Sequence, residues 1–114
     1  MNNLNSVLLE GVLTQDAEHR TTAKGTKVCT FTIESNKYYM ADSEKKATGY
    51  FEVEAWRKLA ETCETKAKKG RCVRIVGWLK QYSYKDRFAV EREKTVICAD
   101  HIEFRPITEG EIEL

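Results

Sequence analysis

Residues 49–84, GYFEVEAWRKLAETCETKAKKGRCVRIVGWLKQYSY, change their hydrophobic period twice, and that change sets the architecture. Over 49–56, Phe51, Val53 and Ala55 alternate with Tyr50, Glu52, Glu54 and Trp56, the period of a half-buried strand. Over 57–69, Leu59, Ala60, Cys63 and Ala67 share one face at helical spacing. Lysines gather at the end of this segment, where they suit the helix dipole, and Gly70 stands where a left-handed cap belongs. From 71 to 84 the period of two returns, with Val73, Ile75, Gly77 and Leu79 as the inner set. Strand, helix and strand thus follow one another without a linker.

Three more strands lie outside this block. Residues 5–14 (NSVLLEGVLT) are rich in Val and Leu, and Gly11 inside them marks a bulge or sharp bend of the kind barrel corners need. Residues 27–39 (KVCTFTIESNKYY) alternate Cys29, Phe31 and Ile33 with Thr30, Thr32 and Glu34, and residues 95–104 (TVICADHIEF) form the last strand. Between strands, 15–26 are polar with a turn at Gly25, 40–48 are a charged loop, and 85–94 (KDRFAVEREK) read as a charged hairpin tip. The order is three strands, one helix, two strands. This predicts an all-β chain: a five-stranded antiparallel barrel of the OB type, with its helix between the third and fourth strands. A β-sandwich is the second choice, with too few strands and one helix too many. One domain over 1–105 and a short acidic segment over 106–114 account for the chain.

Composition narrows the function. The 114 residues are 41% hydrophobic, enough for a core, and 32% charged with both signs mixed. No apolar run reaches membrane-span length, and the first residues lack the pattern of a signal peptide, so the expected location is the cytoplasm, about the nucleoid. Cys29, Cys63, Cys72 and Cys98 form no C-x-x-C pair, and His19 and His101 stand far from ligand-like spacing. They read as reduced thiols, with no metal site, no cofactor and no disulfide framework. No phosphate loop, H-E-x-x-H or G-x-S-x-G occurs, so no enzyme is expected. Net charge is +1, but setting aside the three acids of 109–114 leaves +4 on 1–108, with Lys66, Lys68, Lys69, Arg71 and Arg74 crowded together.

The placement of the aromatic residues is the functional signal. On the strand from residue 71, the parity opposite the core set carries Arg74, Trp78, Lys80, Tyr82 and Tyr84. Tyr50 and Trp56 take the polar parity of the preceding strand, and Tyr39 ends an earlier one beside Lys37 and Tyr38. Rings interleaved with cations suit unpaired nucleotides, because every base has a π-face and the cations meet phosphates; each stacked base contributes ~1–3 kcal/mol. The alternative is that these rings pack inside the barrel or at a subunit contact.

These stretches resemble the bacterial single-stranded DNA-binding protein family. Residues 5–20 (NSVLLEGVLTQDAEHR) are similar to its first strand and the G-x-L-x-x-D-P-E-x-R segment, with Ala17 at the proline. Residues 56–61 (WRKLAE) resemble F-G-K-L-A-E, 68–79 (KKGRCVRIVGWL) resemble K-G-x-x-V-x-V-x-G-x-L, and 95–104 resemble the closing strand T-E-V-V-A-D-x-V-x-F. The resemblance implies base stacking by Tyr39, Tyr50, Trp56 and Tyr84, to which parity adds Trp78. It implies backbone contacts by Arg20, Lys58, Lys69, Lys80 and Arg92. It also implies a homotetramer that binds single-stranded DNA in replication, recombination and repair, with replication and repair proteins as further partners. Three features depart from the family. Glu52 and Glu54 share the ring parity, the 86–91 hairpin lacks its usual glycine, and only a short acidic end stands in place of a long linker and acidic tip. An OB-type adaptor resembling the primosomal replication protein, acting mainly through protein contacts, is the second hypothesis. A thiol or metal enzyme is the third.

Overall fold

The computed structural model describes residues 1–38 and 46–106. Its strands are β1 (Val7–Leu13), β2 (Glu18–Thr21), β3 (Lys27–Tyr38), β4 (Lys46–Trp56), β5 (Cys72–Lys85) and β6 (Glu91–Phe104). One helix, α1 (Lys58–Lys66), lies between β4 and β5. The sheet order is β1-β5-β6-β4-β3-β2, and β1 also pairs with β3, so β1, β5, β6, β4 and β3 close a five-stranded barrel. Four of its seams are antiparallel. The β4–β6 seam is parallel, matching Val53 with Ile97 and Glu54 with Cys98.

The short strand β2 is the element that polarity concealed. All four of its residues are exposed and it rides on the outside of β3, so it carries no hydrophobic period. The helix is shorter than its pattern: it ends at Lys66, and Ala67 is its C-cap. Gly70 does adopt a left-handed conformation, φ 85°, but within the following turn, where Arg71 N–H donates to the Lys68 carbonyl. The charged tip contracts to 86–90, because β5 and β6 continue as a two-stranded ribbon past the barrel. Leu79, placed in the inner set by its parity, is 50% exposed where the ribbon leaves the barrel.

The core is built from the alternating positions. Leu13, Phe31, Ile33, Val53, Ala55, Val73, Ile75, Ile97, Ala99 and Ile102 point inward, and Ala60 and Cys63 of α1, with its C-cap Ala67, complete the cluster. All four cysteines are free thiols, and Cys29 and Cys63 are fully buried between β3 and α1. Their mutual hydrogen bond, then burial, pushes the Cys29 thiol far up.

Two glycines permit the closure. β1 leaves β5 to pair with β3 just after Gly11, where a Cβ would lie 2.5 Å from the Glu34 carbonyl oxygen. At Gly77 a Cβ would run into the Cys98 carbonyl across the β5–β6 ladder. Both obstacles are backbone, which cannot swing aside. Gly77→Ala is therefore expected to cost about 2 kcal/mol, seen as a lower urea midpoint at unchanged slope. An unaltered midpoint would show that the seam has room.

The β5–β6 turn also explains its missing glycine. Ala89 takes the left-handed conformation, φ 61°, and Asp86 holds the turn by accepting the N–H groups of Phe88 at 2.9 Å and Val90 at 3.1 Å. Ala89→Gly removes a Cβ penalty at that φ, so a gain of about 0.5 kcal/mol in thermal or urea unfolding is expected.

Candidate nucleic-acid interface

Three strands compose the ring-bearing face. β6 lies between β5 and β4, and its outward residues here are small: Val96 opposite Lys80, and Cys98 opposite Trp78 and beside Glu54. Long side chains from the two flanking strands therefore meet over β6. Their meeting point is Glu54, which is 3% exposed. It accepts the Trp56 indole N–H at 3.0 Å and the Lys80 ammonium at 3.1 Å, and the Tyr82 hydroxyl lies 2.7 and 2.9 Å from its two oxygens. The Lys80 nitrogen also stands 5.1 Å from the Trp56 ring centroid and 4.8 Å from that of Tyr82.

This network settles the place of the two acids. Burial pushes the Glu54 carboxyl up, but the hydrogen bonds from Trp56, Tyr82 and Lys80 and the Lys80 charge outweigh it and hold the group below its ordinary range. Glu54 is thus an internal anchor whose charge Lys80 neutralises. Glu52 is matched by Lys94 at 2.8 Å. Neither carboxylate confronts the solvent as an isolated charge.

Two grooves flank Trp56. One, of about 660 Å3, is lined by Glu18 and Arg20 of β2, Trp56 of β4, Tyr82 and Tyr84 of β5, and Lys94 of β6, among others. The other, of about 680 Å3, is bordered by Lys24, Trp56, Arg57, Trp78, Lys80 and Asp100. Trp56 and its network form the ridge between them. Arg57 holds φ 58° at the strand-to-helix junction, in the place where the resembling motif has glycine.

The expected site residues divide accordingly. Arg20, Trp56 and Tyr84 share the first groove, and Trp56, Trp78 and Lys80 share the second. Tyr50 is exposed and donates to Glu34 at 3.1 Å, outside both grooves. Lys58 opens α1 and Lys69 follows it; both are exposed and line neither groove. Arg92 pairs with Asp86 at 3.1 Å on the ribbon. Tyr39 lies outside the described residues. Sequence reasoning placed Tyr82 on the ring-bearing parity without naming it a site residue, and assigned no role to Lys94, Lys24 or Arg57. The parity of Tyr82 with Lys80 and Tyr84 was a usable signal; the pairing of Tyr82 with Lys94 across the ribbon was not visible in one strand.

The profile of the Single-strand binding protein family matches residues 4–105. The chain belongs to this family. Among similar family proteins, the single-stranded DNA-binding protein of Caldanaerobacter subterraneus subsp. tengcongensis is 36% identical over 89% of this chain and 67% of its own length. That of Streptococcus pneumoniae serotype 4 is 30% identical, over 94% and 70%. Among solved structures, a Plasmodium falciparum SSB complex with ssDNA superposes with a TM-score of 0.81 at 19% identity, covering 93% of this chain and 98% of that one, and so shares the fold. Against the family motif F-G-K-L-A-E, this single-strand binding family member carries Trp56 and Arg57 at the first two positions, both at the border of the second groove.

Proposed function

We propose that this protein binds single-stranded DNA without strong sequence preference, by stacking bases on aromatic rings and meeting phosphates with Lys and Arg, and protects it during replication, recombination and repair. One observation carries the reading. Trp56, Tyr82, Tyr84 and Trp78 border two adjoining grooves that also hold Arg20, Lys94, Lys24 and Arg57. Family membership and the ligand named for the structural neighbour support it. The stacking set we propose is Tyr39, Tyr50, Trp56, Trp78 and Tyr84, with Tyr82 added; Arg20 is the best-placed cation. Lys80 serves first to neutralise Glu54, while Lys58, Lys69 and Arg92 contribute from the periphery. The role is one of binding, without catalysis.

The second hypothesis, an adaptor acting mainly through protein contacts, drew on the acids of β4. Their neutralisation by Lys80 and Lys94 favours the DNA reading. Titration with oligo-dT is expected to quench tryptophan emission from Trp56 and Trp78. The logarithm of the affinity should fall linearly with that of salt concentration, with a slope of about −0.7 per phosphate contacted. Saturable binding of a protein partner with no emission change on adding oligo-dT would reverse the choice.

We further propose a homo-oligomer. On the outward side of β1 and β5, Leu8 is 71% exposed, Val12 40% and Val76 38%, and Leu8 pairs directly with Val76. Apolar side chains grouped on one sheet face are the material of a subunit contact. Sedimentation equilibrium is expected to show a multiple of the chain mass, and Leu8→Glu to reduce it.

A further inference from the structure

Trp78 and Asp100 together border two hollows at one end of the ring-bearing face. One is the second groove described above; the other, of about 540 Å3, is lined by Asn2, Asn3, Asn5, Trp78 and Asp100. The N-terminal wall of the latter is held in place, because the Asn5 amide donates to the Leu79 carbonyl and accepts the Leu79 N–H, both at 2.9 Å.

Asp100 owes its position to an irregularity of the ladder. Gly77 pairs with Ala99 and Val76 with His101, which leaves Asp100 with no residue across from it. Such a bulge frees a side chain from the ladder and re-aims it. Ala99 and Ile102 remain in the core, while Asp100 and His101 are both exposed. Unlike Glu52 and Glu54, Asp100 makes no ion pair and no side-chain hydrogen bond among the described residues.

A carboxylate without a counter-charge beside a path for phosphates repels them. It suits that path when it faces a base edge. A carboxylate offers two acceptor oxygens and no donor. Guanine presents two neighbouring donors on its Watson–Crick edge, N1–H and the N2 amino group, which fit a carboxylate in bidentate fashion. Cytosine and adenine set a single amino group beside an acceptor ring nitrogen, and thymine sets N3–H between two carbonyls. In a single strand that edge is open to reading. Trp78 supplies the stacking surface next to the carboxylate. Lys24 and Arg57, neither of which makes an ion pair among the described residues, supply cations at the rim.

We propose that the Trp78–Asp100 hollow is a guanine-preferring nucleotide subsite, in which Trp78 stacks the base and the Asp100 carboxylate accepts its N1–H and N2–H. The proposal rests on the DNA-binding reading and adds one selective position to an otherwise indifferent surface.

The test uses the full chain and a dT oligonucleotide carrying a single dG walked along its length, in competition with plain oligo-dT. The best-placed dG is expected to tighten binding about fivefold or more, the discrimination of one bidentate contact. Asp100→Asn, which offers one acceptor and one donor, should abolish this gain while leaving dT affinity equal or higher. Asp100→Ser serves as a second exposed substitution, and circular dichroism checks the fold of both. If no dG position binds tighter than dT, or the gain persists in both variants, the subsite is overturned while general DNA binding stands. If the wild-type chain fails to bind oligo-dT at all, both readings fall.

Discussion

Removing the Trp56 and Tyr84 rings together is expected to raise the dissociation constant for oligo-dT by at least about 30-fold. Each ring is expected to stack one base, at ~1–3 kcal/mol apiece, and 1.4 kcal/mol is tenfold in affinity. The two rings border the same groove from different strands, so a strand of DNA passing Arg20 and Lys94 reaches both. Tyr84 provides the clean half of the experiment. It is 49% exposed, its hydroxyl has no hydrogen-bond partner among the described residues, and Tyr84→Ala should leave the urea midpoint in place while weakening binding about tenfold. Trp56 is half-buried and donates to Glu54, so Trp56→Ala alters packing as well as stacking. Trp56→Phe separates the two effects, since it keeps a ring and gives up the N–H. Fluorescence anisotropy of a labelled dT oligonucleotide reads the affinities. Wild-type affinity in a folded Tyr84→Ala protein would exclude that ring from the interface.

The second large effect is expected at Glu54. Glu54→Ala leaves the Tyr82 hydroxyl, the Trp56 N–H and the Lys80 ammonium without their shared acceptor. Breaking a buried ion pair from one side typically costs 3–5 kcal/mol. The Lys80 side chain is 29% exposed and can turn to water, which places the loss at the lower end, about 3 kcal/mol. Glu54→Gln should cost less, because its amide oxygen still accepts one bond. Loss of the anchor also frees Lys80 for phosphate, so salt dependence of DNA binding should steepen in Glu54→Gln even as the rings loosen. A Glu54→Gln protein with wild-type stability and an unchanged salt slope would mean that the network positions nothing.

The same group sets an acid limit. The folded-state pKa of Glu54 is depressed below the ordinary 4.5, so the native state binds its proton less readily than the unfolded chain. The stabilisation is therefore complete above the unfolded value and is lost as pH falls through the folded one. Stability against urea should hold from neutrality to about pH 5 and decline below it. The decline should be shallower in Glu54→Gln, which has no proton to bind at this position. An identical acid profile in the two proteins would place the titration elsewhere.

The barrel was legible because its strands announce themselves locally. Alternation in 49–56 and 71–84, the helical spacing of Leu59, Ala60, Cys63 and Ala67, and glycines at Gly11 and Gly77 are properties of neighbours in the chain, and the structure keeps the elements they mark, although Phe51 and Leu79 of the inner sets are exposed and Glu54 is buried. Strand β2 escaped because a strand exposed on every residue has no hydrophobic signal to give. Leu79 was misassigned because parity says which side a residue takes and not where the barrel ends.

The ring-bearing face was legible as a parity and illegible as a set of partners. That Trp56, Trp78, Tyr82 and Tyr84 lie on outward faces follows from alternation, so the amino-acid order alone implied a ring-bearing surface with cations among the rings. That Glu54 is an anchor rather than a repellent charge depends on Lys80 and Tyr82, 26 and 28 residues away. It also depends on β6, whose small Val96 and Cys98 let side chains from β4 and β5 meet above it. Alternation carries information over two residues; cross-strand register carries it between segments that only folding makes adjacent. For that reason the composition of the face could be read from the chain, whereas the distribution of charge upon it was decided by the closed barrel.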